Sequence, residues 1–297
     1  MFLITPLLNF ILTVLVFTWD FGLAVANTLL PKLKAGQVTP KGKPGEGGKW
    51  PAYVAPKEGD SRCGCPALNA LANHGIIAHD GKNIKFTDIT STVRTTFNIG
   101  APISYYVPRY AANMVKKSYA KDTFDLAELN LVPNGIEHDA SFLRADGTDP
   151  GTGPHLEYIQ ELLALASTKD KDGNLILTLK DIREYSTKRR MDARALNPGF
   201  SLSLSQTGFA SNNASTLLSI FGGRTEDLDP FLREERFPAG WESRVRSRFG
   251  LSFAAFNWLG FLVEVGISEK RYRAKGVVAA GADSAAASAE DRYEEEV

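Results

Sequence analysis

The chain has few of the residues that hold proteins together by cross-linking or by metal binding. Only two cysteines occur among 297 residues, which excludes a disulfide-dense scaffold. The four histidines show none of the spacing to cysteine that structural zinc sites use. Basic and acidic residues number 34 each, with no long basic stretch, so the electrostatic footprint of a nucleic-acid binder is missing and we expect no nucleic-acid partner.

The N-terminal end is strongly apolar and almost without charge. The run from Phe2 to Phe17 is broken by only three polar residues, and Ala24-Val25-Ala26 matches a small-residue cleavage signature. No basic residue precedes the run, whereas Lys32 and Lys34 follow it, a distribution that favours an uncleaved anchor. We therefore expect entry into the secretory pathway, with residues 1–26 serving either as a signal peptide or as a membrane anchor, and the protein either secreted or associated with a membrane.

Composition divides the rest of the chain into three regions. Residues 27–49 are rich in Lys, Gly and Pro and predict a flexible linker. Residues 268–297 are rich in Ala and then acidic, which predicts a disordered tail. Residues 50–267 lie between them, and the chain's 43% of apolar side chains is enough to give this region a single sizeable core.

Helical periodicity dominates the predicted domain, and strand signals are sparse and brief. The pattern therefore predicts an all-α fold, a single compact helical domain. The predicted helices lie at 68–74, 124–131, 154–167, 178–196, around 214–221 and 229–237, and at 251–263, the last of them buried.

The two cysteines, Cys63 and Cys65, stand one residue apart, and three interpretations apply to them. A disulfide between them would close a strained ring, and zinc lacks its further ligands. The third is a functional thiolate: Pro66 is suited to the first helical position, so the Cys65 sulfur would lie near a helix N-terminus that favours negative charge. The residues alone leave this interpretation level with a buried, inert Cys65, and favour an inert Cys63.

Four stretches, in order, resemble the fungal heme-thiolate peroxidases, the family of chloroperoxidase and unspecific peroxygenase. They are GDSRCGCPALNALANHGI (59–76), FDLAELNLVPNGIEHDASFLRAD (124–146), LTLKDIREYSTKRRMDARALNPGFS (177–201) and REERFPAGW (233–241).

The resemblance implies a set of site residues. Cys65 would be the axial thiolate of heme b, a ligand whose electron donation favours O–O cleavage. The side chains of Glu137 and Ser141, with the carbonyl of His138, would hold Mg or Mn near a heme propionate, as hard oxygen ligands can. His138 would face the distal pocket and be oriented by Asp139.

Two positions depart from the family pattern. Gly64 stands where the family has a proline beside its cysteine. The family's distal glutamate, which moves a peroxide proton, aligns with Asn213 or with Asn212, and no Asp or Glu occurs between Asp192 and Glu226. An amide cannot move that proton. Asn213 also begins a glycosylation sequon, which we expect to be inaccessible on a pocket wall and unmodified.

The implied function is that of a peroxidase- or peroxygenase-like oxidoreductase that uses hydrogen peroxide to oxidise or oxygenate a small organic substrate. The amide at the acid position keeps two alternatives open. One is a heme-thiolate biosynthetic enzyme with altered, non-peroxidase chemistry. The other is a heme-binding protein without turnover.

Overall fold

A computed structural model describes residues 4–131, 136, 138–144, 153–274 and 276. Helices dominate these residues, whose only strands are two short antiparallel pairs, so the predicted mostly helical fold is confirmed. The helices are α1 (Ile4–Leu29), α2 (Pro66–Asn73), α3 (Phe86–Phe97), α4 (Ala101–Met114), α5 (Leu156–Ala164), α6 (Leu179–Leu196), α7 (Leu204–Ser219), α8 (Thr225–Arg233) and α9 (Phe253–Gly266). The strands are β1 (Ile84–Lys85) with β2 (Thr123–Phe124), and β3 (Thr168–Lys169) with β4 (Leu175–Ile176).

Helices with strong start signals lie where the sequence predicts them. α2 begins at Pro66, with Cys65 as its N-cap residue. α6 begins after Thr178, whose side chain accepts the Asp181 N–H while the Asp181 carboxylate accepts the Thr178 N–H at 2.8 Å. This reciprocal capping box satisfies two backbone donors that a helix start leaves unpaired.

The segment 124–131 differs from its prediction. It forms β2 and a short 3-10 helix, Leu126–Leu129, instead of a helix along its whole length. The Asp125 and Glu128 side chains cap that short turn, and the Asp125 carboxylate also accepts the Asn83 N–H at 2.9 Å. The apolar spacing therefore reflects burial of Leu126 and Leu129 rather than a continuous helical face.

The core contains an aromatic cluster that joins the two ends of the predicted domain. Phe237 stacks on Trp50 with ring centroids 4.2 Å apart and lies parallel to Trp241 at 5.7 Å. The Trp50 indole N–H donates to the Trp241 carbonyl at 3.0 Å. Residues near both ends of the domain thus share one buried surface, which dispersion and area burial both stabilise.

Helices α7 and α9 pack extensively against each other. A Cβ at Gly260 would overlap the side-chain oxygen of Asn212, so the glycine allows the two helices to approach closely. α9 covers α7 with one face only. The prediction of a buried helix at 251–263 is therefore only half right, because Trp258, Phe261 and Val265 on the opposite face are exposed.

Residues that precede the predicted domain form hydrogen bonds and helix contacts with it. In the segment predicted to be a linker, the Leu33 N–H donates to the Arg246 carbonyl at 2.8 Å and the Gly36 N–H to the Glu242 carboxylate at 2.6 Å. α1 packs against α4 and α9. Its stretch Phe10–Leu29, with a mean hydropathy of 1.7, is long and apolar enough to cross a membrane. The domain boundaries themselves stay predictions.

Candidate active site

Cys65 lies at the start of α2, in the position the sequence predicts. Its backbone is extended (φ −86°, ψ 108°), and Pro66 opens the helix behind it. Both cysteines are free thiols, so no disulfide joins them. The N–H groups of Ala67 and Leu68 reach the Cys65 sulfur and lower its pKa, but burial raises that pKa by more, so the net direction is upward. The N–H groups of the helix start thus lower the thiol pKa, in the direction that the sequence predicts, and burial outweighs them.

Two asparagine side chains hold the loop that precedes Cys65. Asn69 accepts the Cys63 N–H at 3.0 Å and donates to the Cys63 carbonyl at 2.6 Å. Asn130 accepts the Gly64 N–H at 3.0 Å and donates to the Arg62 carbonyl at 3.1 Å. Each amide therefore pairs with the loop backbone as a neighbouring strand would, and these bonds restrict the loop's conformation.

A buried ion pair lies behind this loop, and sequence reasoning assigned it no role. Arg144 and Glu235 pair directly, with side chains only 5% and 8% exposed. Glu235 also accepts a hydrogen bond from Asn69 at 2.9 Å, and Arg144 reaches the Cys63 carbonyl at 3.4 Å. Glu235 has a left-handed backbone (φ 52°), which a non-glycine residue rarely adopts. The pair connects the cysteine loop to the segments around 138–144 and 235–241.

The segment 138–144 carries three of the predicted site residues. A ring nitrogen of His138, Nδ1, lies 2.9 Å from the Asp139 carbonyl, and because a carbonyl only accepts, that nitrogen carries the proton. The Asp139 carboxylate accepts the Ser201 N–H at 2.8 Å. Ser141 Oγ accepts the N–H groups of Leu143 and Arg144, each at 3.3 Å, as in a tight turn.

Arg189 of α6 contacts the segment 138–144. It is fully buried, its Nε donates to the Ser141 carbonyl at 2.9 Å, and its guanidinium lies 3.6 Å from the centre of the Tyr158 ring. The fourth predicted site residue of this region, Glu137, lies outside the described residues. Among the residues that the structure describes, no three His, Cys, Asp or Glu side chains come together as a metal site would need. The predicted Mg or Mn site therefore stays a prediction.

The structure separates Asn212 from Asn213, the two candidates for the acid position. Asn212 faces α9, where its Nδ2 donates to Asn257 at 3.0 Å. Asn213 is exposed, contrary to the expectation of an inaccessible sequon. One turn earlier on α7, the ring centroid of Phe209 lies 5.9 Å from that of Tyr110 on α4. None of the described contacts of Asn213 joins it to the cysteine loop or to His138.

The residues present fit a heme iron at the axial position. A single sulfur at a helix start, with two N–H donors aimed at it and a half-buried side chain, is the donor set of a cysteinate-ligated heme. A loop fixed by Asn69 and Asn130 gives that sulfur a defined direction. A cavity of about 600 Å³ lies elsewhere, between α1, α3 and α4, and contains none of these residues.

Comparison with known proteins agrees with this geometry. The sequence model of the family described as "Peroxidase, family 2" matches residues 51–246, which is more than half of the chain. A chloroperoxidase of Leptoxyphium fumago is 39% identical over 97 residues, covering 32% of this chain and 26% of that protein, so the match spans about a quarter of that relative. The chain belongs to peroxidase family 2, the chloroperoxidase family.

Proposed function

We propose that the protein is a heme-thiolate peroxidase or peroxygenase that uses hydrogen peroxide to oxidise or oxygenate a small organic substrate. Membership of the family supports the reaction class. The observation that carries the proposal is the position of Cys65, which is the N-cap residue of α2 at the end of a loop held by two side-chain amides.

Cys65 would hold the iron of heme b through its sulfur. Heme, when bound, would supply a redox-active iron for peroxide cleavage, and a thiolate ligand favours that cleavage. Cys65 must lose its proton to serve as this ligand. The N–H groups of Ala67 and Leu68 would then donate to a charged sulfur and stabilise it, as charge-assisted hydrogen bonds do.

His138 would move the peroxide proton. The contact of its Nδ1 with the Asp139 carbonyl leaves Nε2 as the acceptor nitrogen of the neutral ring. Asp139, bound to the Ser201 N–H, would fix the segment that carries the ring. Asn213 would donate a hydrogen bond from its amide but could not take up or release a proton. Glu137 and Ser141, with the His138 carbonyl, would hold Mg or Mn beside a propionate.

Ligation is tested by supplying hemin to the purified full chain and recording the spectrum of the reduced carbonyl complex. Wild type and Cys63→Ala are expected to show the red-shifted Soret band of a cysteinate ligand, and Cys65→Ala is expected to lose it. Cys63 is the matched control because it is a buried free thiol two residues away in the same loop. A thiolate band that survives in Cys65→Ala, or disappears in Cys63→Ala, would contradict the assignment.

A second candidate function follows from α7, which has no acidic residue from Leu204 to Ser219. An enzyme without a distal acid suits altered, non-peroxidase chemistry, and a heme-binding protein without turnover fits the same observation.

Peroxide turnover compared between wild type and Asn213→Glu distinguishes these functions. A gain on the order of a hundredfold or more in the variant, the range of general acid–base catalysis, supports a peroxidase scaffold that lacks its acid. Turnover in neither protein, with ligation intact, contradicts the peroxidase function.

A secretory location remains a proposal that rests on the apolar N-terminal segment. The protein would be either secreted or held at a membrane.

A further inference from the structure

Two polar side chains of α1, Asp20 and Asn27, contact the folded domain. Asp20 is the only charged residue of this helix, and it is 2% exposed. Its carboxylate accepts the N–H groups of Phe253 and Ala254 at 2.8 and 3.1 Å, so it caps the start of α9. Asn27 accepts the Phe249 N–H at 2.8 Å and donates to the Gly250 carbonyl at 3.0 Å. These contacts attach α1 to the folded domain.

The opposite side of α1 is apolar and exposed. Its large exposed side chains are Phe10, Ile11, Val14, Leu15, Phe17, Trp19, Phe21, Val25 and Leu29. The hydroxyls of Thr18 and Thr28 donate to carbonyls of their own helix, at 2.8 and 2.7 Å, and so need no water. A helix on a soluble protein has the reverse pattern, with its polar face outward. A surface of this kind is typical of a protein that contacts lipid or another protein.

A groove beside α1 is lined by apolar side chains of that helix and, on its other wall, by polar and basic residues as well. Its volume is about 600 Å³, and it lies between α1, α3 and α4. Leu12, Leu15 and Trp19 line it on the α1 side, and Tyr105 and the basic Arg94 line it on the other. An apolar wall with a cation beside it suits an amphiphile with an anionic headgroup.

Basic residues gather at the C-terminal end of α1. Lys32, Lys34 and Arg248 are exposed, and Arg246 Nη1 donates to the Lys34 carbonyl at 2.9 Å. Glu242, the acid that approaches Arg246, is buried and already accepts the Gly36 N–H. This end of the helix therefore presents net positive charge, which complements anionic lipid headgroups.

We propose that α1 stays part of the folded protein and lies along the surface of a lipid bilayer. Its apolar side would lie among the acyl chains, and the basic residues at its C-terminal end would contact anionic headgroups. A crossing orientation is disfavoured because α1 would have to leave the domain, which would move the Asp20 carboxylate into lipid and remove the cap of α9. This orientation of α1 does not depend on the proposed heme chemistry.

The test is flotation of the purified full chain with vesicles of phosphatidylcholine alone or mixed with phosphatidylserine. Wild type is expected to float with both, and more strongly with the anionic mixture. Phe10→Ser/Phe21→Ser is expected to lose most of the binding, since both rings are about two-thirds exposed (66% and 67%) and contribute only to the outer surface. Leu204→Ser, at 94% exposure on α7, is the matched control and is expected to float as wild type does.

A second variant separates charge from apolar contact. Lys32→Gln/Lys34→Gln is expected to weaken binding to the anionic vesicles by roughly 30-fold and to leave binding to neutral vesicles nearly unchanged. Circular dichroism and the unfolding temperature confirm that each variant is folded.

Three results would overturn the proposal. One is secreted protein from a eukaryotic host whose intact mass shows loss of residues 1–26. Another is wild-type protein that does not float with either vesicle. The third is a concentration-dependent dimer that forms without vesicles and disappears in Phe10→Ser/Phe21→Ser while no lipid binding occurs, which would assign the surface to a second copy of the chain.

Discussion

Removal of the Glu235 carboxylate is the sharpest test of the network behind the cysteine loop. In Glu235→Ala the buried Arg144 loses its counter-ion and Asn69 loses an acceptor at 2.9 Å. Breaking a buried ion pair from one side destabilises by about 3–5 kcal/mol, because an uncompensated charge stays buried. At roughly 2–4 °C per kcal/mol for a protein of this size, the unfolding temperature should fall by roughly 6–20 °C. Ala retains the left-handed backbone strain, so no compensating gain is expected.

The assay is urea or thermal unfolding of the cofactor-free chain, with Glu234→Ala as the control. Glu234 is exposed and pairs with the exposed Arg236, so its loss should change stability by less than about 1 kcal/mol. A double-mutant cycle of Glu235→Ala with Arg144→Met should show strong coupling in the free energy of unfolding. The double variant should lose less stability than the sum of the losses in the two single variants. Equal stability of Glu235→Ala and Glu234→Ala, or single effects that simply add in the double variant, would refute this role of the buried pair.

Three further outcomes are expected. Gly260→Ala should destabilise by about 1–3 kcal/mol in urea unfolding, because its Cβ would overlap the α7 side chain opposite, whereas Gly22→Ala, with open space around it, should not. Thr178→Ala should lose about 1 kcal/mol through loss of the α6 cap, and unchanged unfolding would contradict that role. In cofactor-free protein the pH midpoint of Cys65 alkylation should lie above about 8.5, the value typical of free cysteine, because burial raises the thiol pKa. The raised pKa also contributes folding stability, which is fully present below the ordinary thiol pKa and is lost as pH rises through the raised pKa. An alkylation midpoint below about 8.5 would contradict this direction.

The sequence predicts those elements of the fold that have local signals. Pro66 and Thr178 mark helix starts through backbone chemistry that needs no tertiary contact, and both helices begin there. α3 and α4 have weaker local signals. α3 contains many threonines, which lower helix propensity, and α4 contains Pro108, so packing rather than propensity decides these two helices.

The candidate site likewise has one part that local sequence signals predict and another that depends on tertiary contacts. The position of Cys65 at a helix start follows from its neighbours in sequence. The pairing of Arg144 with Glu235 joins residues 91 positions apart, and no periodicity or spacing indicates such a contact. The direction of the Cys65 pKa could not be predicted either, because it depends on how much of the fold covers the sulfur.

The two amides that hold the cysteine loop have a consequence for the order of assembly. Asn69 and Asn130 each donate and accept at once, so an aspartate, which cannot donate, would not replace either one. All four hydrogen bonds are formed by the polypeptide alone. The loop that would carry the proposed ligand thus needs no cofactor to order it, and the entropy of ordering it is lost during folding. Under the proposed function, such a chain would fold first and acquire its heme afterwards.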